Sequence, residues 1–358
     1  MEKQTILITG AAGYVGAMLV EQFAKRSDVE RIIGIDKEPI PDNFHDAPKL
    51  VYLHLNTADE WEEQARAYHP TIIIHTAWQI REMYGNQATE WKWNIDGSDK
   101  VFDFAFIEKS VQRLVHFSTV ASYGAYPSNT LAHRYTEAET FRKMDYLYSE
   151  EKRIAEEHLK ERYEKSDKHT SVAIVRPAAI TGPRGRFMRI RFGLQSSLSG
   201  ALKGQGSWLY EVISLWVSWV PVTPKWLRQY IHEDDVVGIV DRLSFGEKVK
   251  GYEVFNICPP GSVVLGSDMA RAVGKHTLPI YPWMVRLAFF WVWHLTRGRI
   301  PTSPGSWKGY SYPIAVDGSK VTRKLGYIYH YDGLDAFQYT DGAYEKYVPE
   351  NLRRHRKA

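Results

Sequence analysis

The chain has 358 residues, 44% of them hydrophobic and 25% charged, a globular composition long enough for a large core with one appended lobe. Its 46 basic and 42 acidic side chains leave a formal charge of +4, too balanced for a nucleic-acid-binding surface. Cys258 is the only cysteine, which excludes an internal disulfide and suits a reducing, cytoplasmic setting.

The first half alternates short β-branched runs with longer amphipathic segments. "TILITG" comes first; it reaches an apolar run and its glycine by residue 10, too early for a signal peptide. A helix over about 14–26 follows, then "RIIGID", "LVYLHL", a helix over 59–68 and the fourth strand "TIIIHTA". After a helix over 94–106 come the fifth strand "RLVHFST", a helix carrying Tyr148, and the sixth strand "SVAIVRP". Continuous apolar strands separated by helices are buried on both faces, so this order predicts an α/β fold with a doubly wound parallel Rossmann sheet. Beyond "RPAAITGPRGR" the alternation stops, although "RQYIHEDDVVGIV" and "GYEVFNI" read as segments returning to the sheet. The expected division is a dinucleotide-binding domain over 1–180 with returning segments at 229–260. A smaller discontinuous lobe would be built from 181–228 and 261–345, and a solvated basic tail would occupy 346–358.

Eight of the twelve tryptophans, namely Trp208, Trp216, Trp219, Trp226, Trp283, Trp291, Trp293 and Trp307, lie in that second region. They serve either as an aromatic core or as an apolar pocket or membrane-surface face. The runs "VISLWVSWVPV" and "LAFFWVW" fall short of the roughly 20 apolar residues a spanning helix needs, and Arg286 and His294 flank the second. No transmembrane segment is expected; peripheral contact with a membrane stays open.

Gly10, Gly13 and Gly16 of "TILITGAAGYVGAMLVEQF" sit between the first strand and the first helix. Glycines there allow a tight turn, close approach of the backbone to a pyrophosphate, and close packing of helix on sheet. The helix start at Tyr14, Val15 and Gly16 offers N–H groups to phosphates. Asp36 ends the next strand twenty residues beyond Gly16, where an acid binds the ribose hydroxyls of NAD and repels the 2′-phosphate of NADP. NAD is therefore expected, with NADP left open by the neighbouring Lys37. Tyr148 and Lys152 stand at i and i+4, one above the other on one helix face.

The spacing G-x-x-G-x-x-G in "TGAAGYVG" resembles the fingerprint of the extended short-chain dehydrogenases/reductases of the NAD-dependent epimerase/dehydratase type. Other stretches resemble that family in the same order: "HTA" at 75–77, "NIDGS" at 94–98, "STVASYG" at 118–124, Tyr148 with Lys152, "RPAAITGP" at 176–183 and "IHEDDV" at 231–236. The match covers about residues 5–260, and the nearest subgroup is the one described as UDP-glucose 4-epimerase-like.

The resemblance implies hydride transfer at a secondary alcohol, with Tyr148 as acid and base. Lys152 would hold the nicotinamide ribose and lower the phenol's pKa, Thr119 would bond the reacting oxygen, and Asn94 would lie beside them, although an ordinary helix N-cap would look the same. Cofactor contacts are expected from Gly10, Gly13, Tyr14, Val15, Gly16, Asp36, Asn56, Thr76, Ala77, Trp78, Ser118, Tyr148, Lys152, Pro177 and Ala178, and substrate contacts from Thr119, Ala179 and Arg228. No metal ligands are assigned.

Val120 and Ala121 stand where the family's sugar 4,6-dehydratases carry an Asp-Glu pair, so a dehydratase is not expected. Ala179 replaces an asparagine common in the epimerases, and an arginine expected before "AVDGSK" is missing, with Lys308 the nearest cation. These departures weaken a diphosphate site. The main reading is a nucleotide-sugar epimerase. The rivals are a dehydrogenase of an apolar, hydroxysteroid-like alcohol and a non-catalytic dinucleotide sensor. The resemblance also implies a homodimer through the helices around 95–106 and 148–160.

Overall fold

The computed structural model describes residues 3–44, 47–188, 219–261, 263–272 and 274–356. Trp208, Trp216 and residues 212–218 of the first apolar run lie outside the described residues. The chain divides into two compact units, the first formed by 1–119, 147–176 and 237–255, the second by 120–146, 177–236 and 256–358.

The first unit carries the sheet. Its strands are β1 (Gln4–Thr9), β2 (Val29–Asp36), β3 (Leu50–His54), β4 (Ile72–His75), β5 (Arg113–Phe117) and β6 (Ser171–Pro177). Adjacent members pair in parallel: Ile6 is in register with both Ile32 and Ile72, and Leu114 with both Ile73 and Val172. A further strand, Tyr252–Ile257, extends the sheet beside β6, giving seven strands ordered β3, β2, β1, β4, β5, β6 and this last one. The expected doubly wound sheet is present, and "GYEVFNI" does return to it.

Helix α1 (Tyr14–Ala24) follows β1, and α2 (Glu62–Arg66) follows β3. A continuous helical run then comprises α3 (Gln87–Trp91), a π turn over Lys92–Asp96 and α4 (Gly97–Ile107); α5 (Leu147–Lys165) precedes β6. One core layer joins Leu7, Ile73, Leu114 and Val172 of the sheet to Val101 and Phe102 of α4 and Ala155 and Leu159 of α5, all of them inaccessible to solvent. Burying such side chains stabilises each by about 1.5–3 kcal/mol, which fixes the register that the site depends on. Elsewhere Phe245, closing the helix α6 (Glu233–Phe245), meets Phe23 of α1 edge to face at 5.2 Å.

Among its described residues the second unit has three two-stranded sheets and its own core around Trp226, Tyr230, Met269 and Phe337. Here the strand Tyr230–His232 pairs with Ala179–Thr181 rather than joining the large sheet, so "RQYIHEDDVVGIV" returns only through α6. The segment 120–146 falls inside the span expected for the first domain, yet it packs within the second unit. Tyr123 donates to Asn256 Oδ1 at 3.0 Å, and Tyr135 N donates to Ala315 O at 2.8 Å.

The basic tail is not a frayed end. Thr340 N donates to Arg354 O and Arg354 N to Thr340 Oγ1, each at 2.8 Å, and Arg356 donates to His330 O at 2.8 Å while its Nε lies 3.6 Å from Asp341. Acceptors at 330–341 give the tail partners that its own composition did not reveal. The tryptophans divide: Trp226 and Trp293 are buried, whereas Trp219, Trp283 and Trp291 are at least half exposed.

Candidate active site

The glycine turn is fixed by backbone geometry. Gly10 has φ +73°, a conformation that favours glycine, and its N–H donates to Ile35 O at 2.8 Å, tying the turn to the end of β2. A Cβ on Gly10 would fall 2.6 Å from Ala77 N, and one on Gly16 would fall 2.0 Å from Gly10 O. The start of α1 carries neither a side-chain cap nor an acidic residue in its first turn, so its positive dipole end is not neutralised from within the helix. Asp36 accepts from Ala12 N at 2.9 Å and from Glu38 N at 3.0 Å, and burial raises its carboxyl above the ordinary range. Each carboxylate oxygen keeps further lone-pair capacity. Lys37 is paired with Glu38 at 3.0 Å and lies over Trp93.

Thr76 and Ala77 bind the end of β4 to the end of β1: Thr76 Oγ1 donates to Thr9 O at 2.7 Å and Ala77 N to Thr9 Oγ1 at 3.4 Å. Ser118 Oγ and Trp78 Nε1 are buried and have no hydrogen-bond partner among the described residues, so both are available to a ligand. Asn56 turns its amide oxygen back onto Ala58 N at 2.9 Å, closing a local turn.

At the end of β5 the Thr119 and Tyr148 hydroxyls are hydrogen-bonded to each other. Burial pushes the phenol up and the Thr119 bond opposes it. Lys152 is buried one turn along α5, with Nζ donating to Phe117 O at the strand's end and lying 3.5 Å from the centre of the Trp78 ring. Burial lowers its pKa well below the ordinary value, while Glu156 and Glu151 act to raise it. The expectation that Lys152 lowers the Tyr148 pKa is not met in this arrangement, because the ammonium is engaged by Phe117 O and the indole face.

Asn94 is not an N-cap. It lies in the π turn, where its Oδ1 accepts from Gln79 N at 2.7 Å and its Nδ2 donates to Gln79 O at 3.0 Å and to Glu151 Oε2 at 2.7 Å. Ser98 Oγ donates to Asn94 O. With that proton committed, His75 Nε2 must donate to Ser98 Oγ at 2.9 Å, leaving Nδ1 to accept from Thr9 Oγ1 at 2.6 Å. Burial lowers His75 to about 3, consistent with this neutral tautomer.

The sequence reading missed two buried acids beside Asn94. Glu90 and Glu151 are both inaccessible to solvent. Burial is the main cause that pushes each up to about 7; for Glu151 the Asn94 bond opposes it, whereas Glu90 and Glu82 add to it. The signal lay in the row Glu151, Ala155, Leu159, which repeats every four residues on the buried face of α5. Because the folded value exceeds the ordinary 4.5, stability from these groups is full below about pH 4.5 and is lost as pH rises through about 7. Glu151→Gln should therefore raise stability at pH 8 by roughly 1 kcal/mol or more and flatten the decline between pH 5 and 7.5. Urea titrations across that range check this; an unchanged slope would show that Glu151 does not titrate there.

In the second unit Ala178 N donates to Ile257 O at 3.1 Å and Ala179 N to Gln229 O at 3.1 Å, continuing the backbone from Pro177. The methyl of Ala179 is exposed. Arg228 lies 5.5 Å from the Tyr310 ring centre, and Lys308 donates to Asp145 at 2.8 Å. Glu233 accepts from the amides of Arg184 and Gly185 at 2.8 and 3.1 Å.

A glycine turn after β1, an acid at the end of β2 and a Thr–Tyr–Lys group at the end of β5 are the features a dinucleotide-dependent oxidoreductase site requires. The chain belongs to the NAD dependent epimerase/dehydratase family, whose model matches residues 6–258. It is 23% identical over 340 residues to the uncharacterized protein y4nG of Sinorhizobium fredii, covering 92% of this chain and 75% of that one. It is 27% identical over 182 residues to the N-acetyl-α-D-glucosaminyl-diphospho-ditrans,octacis-undecaprenol 4-epimerase of Escherichia coli O157:H7, about half of each chain.

Among solved structures, UDP-glucose 4-epimerase of Thermotoga maritima with UDP-glucose superposes with a TM-score of 0.70 at 20% identity, covering 98% of this chain and 100% of that one. The Bordetella bronchiseptica enzyme WbmG in complex with NAD gives 0.67 at 20% identity, covering 94% and 92%. At this identity the structural likeness speaks to the fold. The residues present also fit NAD, since Gly10 and Gly16 let the turn close so tightly on backbone that no Cβ would be accommodated, the start of α1 is uncapped, and Ser118 and Trp78 hold unused polar atoms.

Proposed function

We propose that the protein is an NAD-dependent epimerase acting at a secondary hydroxyl of a sugar carried on a diphosphate. The observation that carries this reading is the Thr119 hydroxyl bonded to the Tyr148 phenol with Lys152 buried one turn along the same helix. NAD, held by the glycine turn and Asp36, would supply a reversible hydride acceptor for the carbinol carbon. Tyr148 takes the hydroxyl proton and later gives it back, and Thr119 orients the reacting oxygen. Glu156 and Glu151 favour the charged form of Lys152 against the cost of burial, and Lys152 would hold the nicotinamide ribose. Asn94, clamped by Gln79 and Glu151, keeps the start of this helix pair in place. Val120 and Ala121 offer no proton-transferring group, which supports epimerisation over elimination of water.

The family and the relatives' names favour a sugar over an apolar steroid-like alcohol. A second reading, a sugar diphosphate carried on a polyprenol as the Escherichia coli relative's name describes, is favoured by the exposed apolar helix at 282–295. Purified protein with NAD, offered UDP-glucose, UDP-galactose and polyprenyl-diphosphate hexosamines, should interconvert epimers of one class by chromatography without lasting absorbance at 340 nm. Net NADH from any of them would identify a dehydrogenase instead.

Asp36→Asn should shift the ratio of NAD to NADP affinity towards NADP by about tenfold, because one charge repelling the 2′-phosphate is removed. Calorimetric titration with both cofactors checks this; an unchanged ratio would remove Asp36 from the ribose site. A cytoplasmic setting and a homodimer through α4 and α5 complete the proposal. The charge network Asp99–His158–Arg162–Asp103 joins those helices within one chain, and light scattering would read the mass.

A further inference from the structure

The helix α8 (Pro282–Leu295; α7 being Gly266–Ala272) is apolar nearly all round, yet only one side of it is covered. Val285 and Trp293 are buried. Trp283, Leu287, Phe290, Trp291 and Leu295 are each more than half exposed, Trp283 at 64% and Leu295 at 77%. Spaced at 3.6 residues per turn, Trp283, Leu287, Phe290 and Trp291 make one continuous stripe, and isolated exposed apolar residues are ordinary where such a stripe is not.

Charge selects the occupant. From Met269 to Val316 there is no acidic residue, while Arg271, Lys275, Arg286, Arg297, Arg299 and Lys308 are all cationic. Arg286, Arg297 and Arg299 are exposed and have no carboxylate partner among the described residues. A second copy of this chain would set these cations against one another. A protein partner would need a complementary acidic groove. An anionic bilayer meets both features at once, taking tryptophan, phenylalanine and leucine at its acyl boundary and arginine at its headgroups. No helix among the described residues is long and apolar enough to cross a membrane, which leaves an in-plane disposition.

We propose that α8 is an in-plane membrane anchor that seats the protein on an anionic lipid surface through the Trp283–Leu287–Trp291 stripe. This inference is independent of the active-site reading, and its test needs neither NAD nor sugar. Purified full-length protein is sedimented with vesicles of phosphatidylcholine alone and of phosphatidylcholine with phosphatidylglycerol. The expected result is binding to the anionic vesicles at least roughly tenfold stronger than to the neutral ones, weakened by salt.

The exposed-face variant Trp283→Glu with Leu287→Glu should lose binding without a change in thermal midpoint, whereas Arg297→Gln with Arg299→Gln should lose only the preference for anionic lipid. Cys258 is fully buried, so Leu287→Cys can be labelled selectively, and its dye should shift to the blue on vesicles. Absence of vesicle binding at low salt would overturn the proposal. So would equal binding by the Glu variant, or a concentration-dependent dimer that the variant dissolves.

Discussion

Tyr148→Phe is expected to reduce epimer formation by about 10²- to 10⁴-fold, the range set by loss of a positioned acid–base group. The phenol oxygen is bonded to Thr119 and borne on the same helix face as Lys152. Removing it deletes the proton transfer and leaves the ring's packing in place. NAD affinity should stay within about twofold of the parent, because the cradle at Gly10 to Gly16 is untouched. The measurement is initial rate together with calorimetric NAD binding. A variant retaining more than a tenth of the parent rate would show that another group moves the proton.

The second large effect is at Gly16. A Cβ there would lie 2.0 Å from Gly10 O, 2.7 Å from its carbonyl carbon and 3.0 Å from Ala11 Cα, all backbone atoms that cannot swing aside. Gly16→Ala should therefore displace the turn from the start of α1, destabilise the protein by about 1–3 kcal/mol or more, and weaken NAD binding by at least about 100-fold. Gly85→Ala provides the control: its φ of +71° carries a backbone cost, but nothing lies within 4 Å of the added atom. It should lose some stability and keep its NAD affinity. If Gly16→Ala binds NAD like the parent, the turn is not the pyrophosphate cradle.

The cofactor half of the site was legible because its determinants are local. A strand, three glycines, a helix and an acid at the next strand's end are all set within 36 residues, and each has a backbone reason. Tyr148 and Lys152 were legible through helical spacing and the ordered resemblance around them.

What the sequence hid were residues whose type says one thing and whose burial says another. Glu90 and Glu151 look like solvated helix surface, and their burial depends on how the run 87–107 packs against α5. Asn94 reads as a helix start because a π turn within a continuous helix leaves no mark in composition. The segment 120–146 follows β5 directly, so it was assigned with it, although its tyrosines find their partners in residues 256–317. The basic tail needed the acceptors at 330–341 to be recognised as ordered.

The central claim is that hydride leaves and returns at one sugar carbon without escaping. The most direct measurement is turnover of UDP-glucose, or of the polyprenyl-diphosphate hexosamine if that is the substrate, carrying deuterium at C4. The account predicts an epimerised product that keeps its deuterium, with no lasting absorbance at 340 nm. Loss of deuterium to solvent, or NADH accumulating with a keto product, would contradict it.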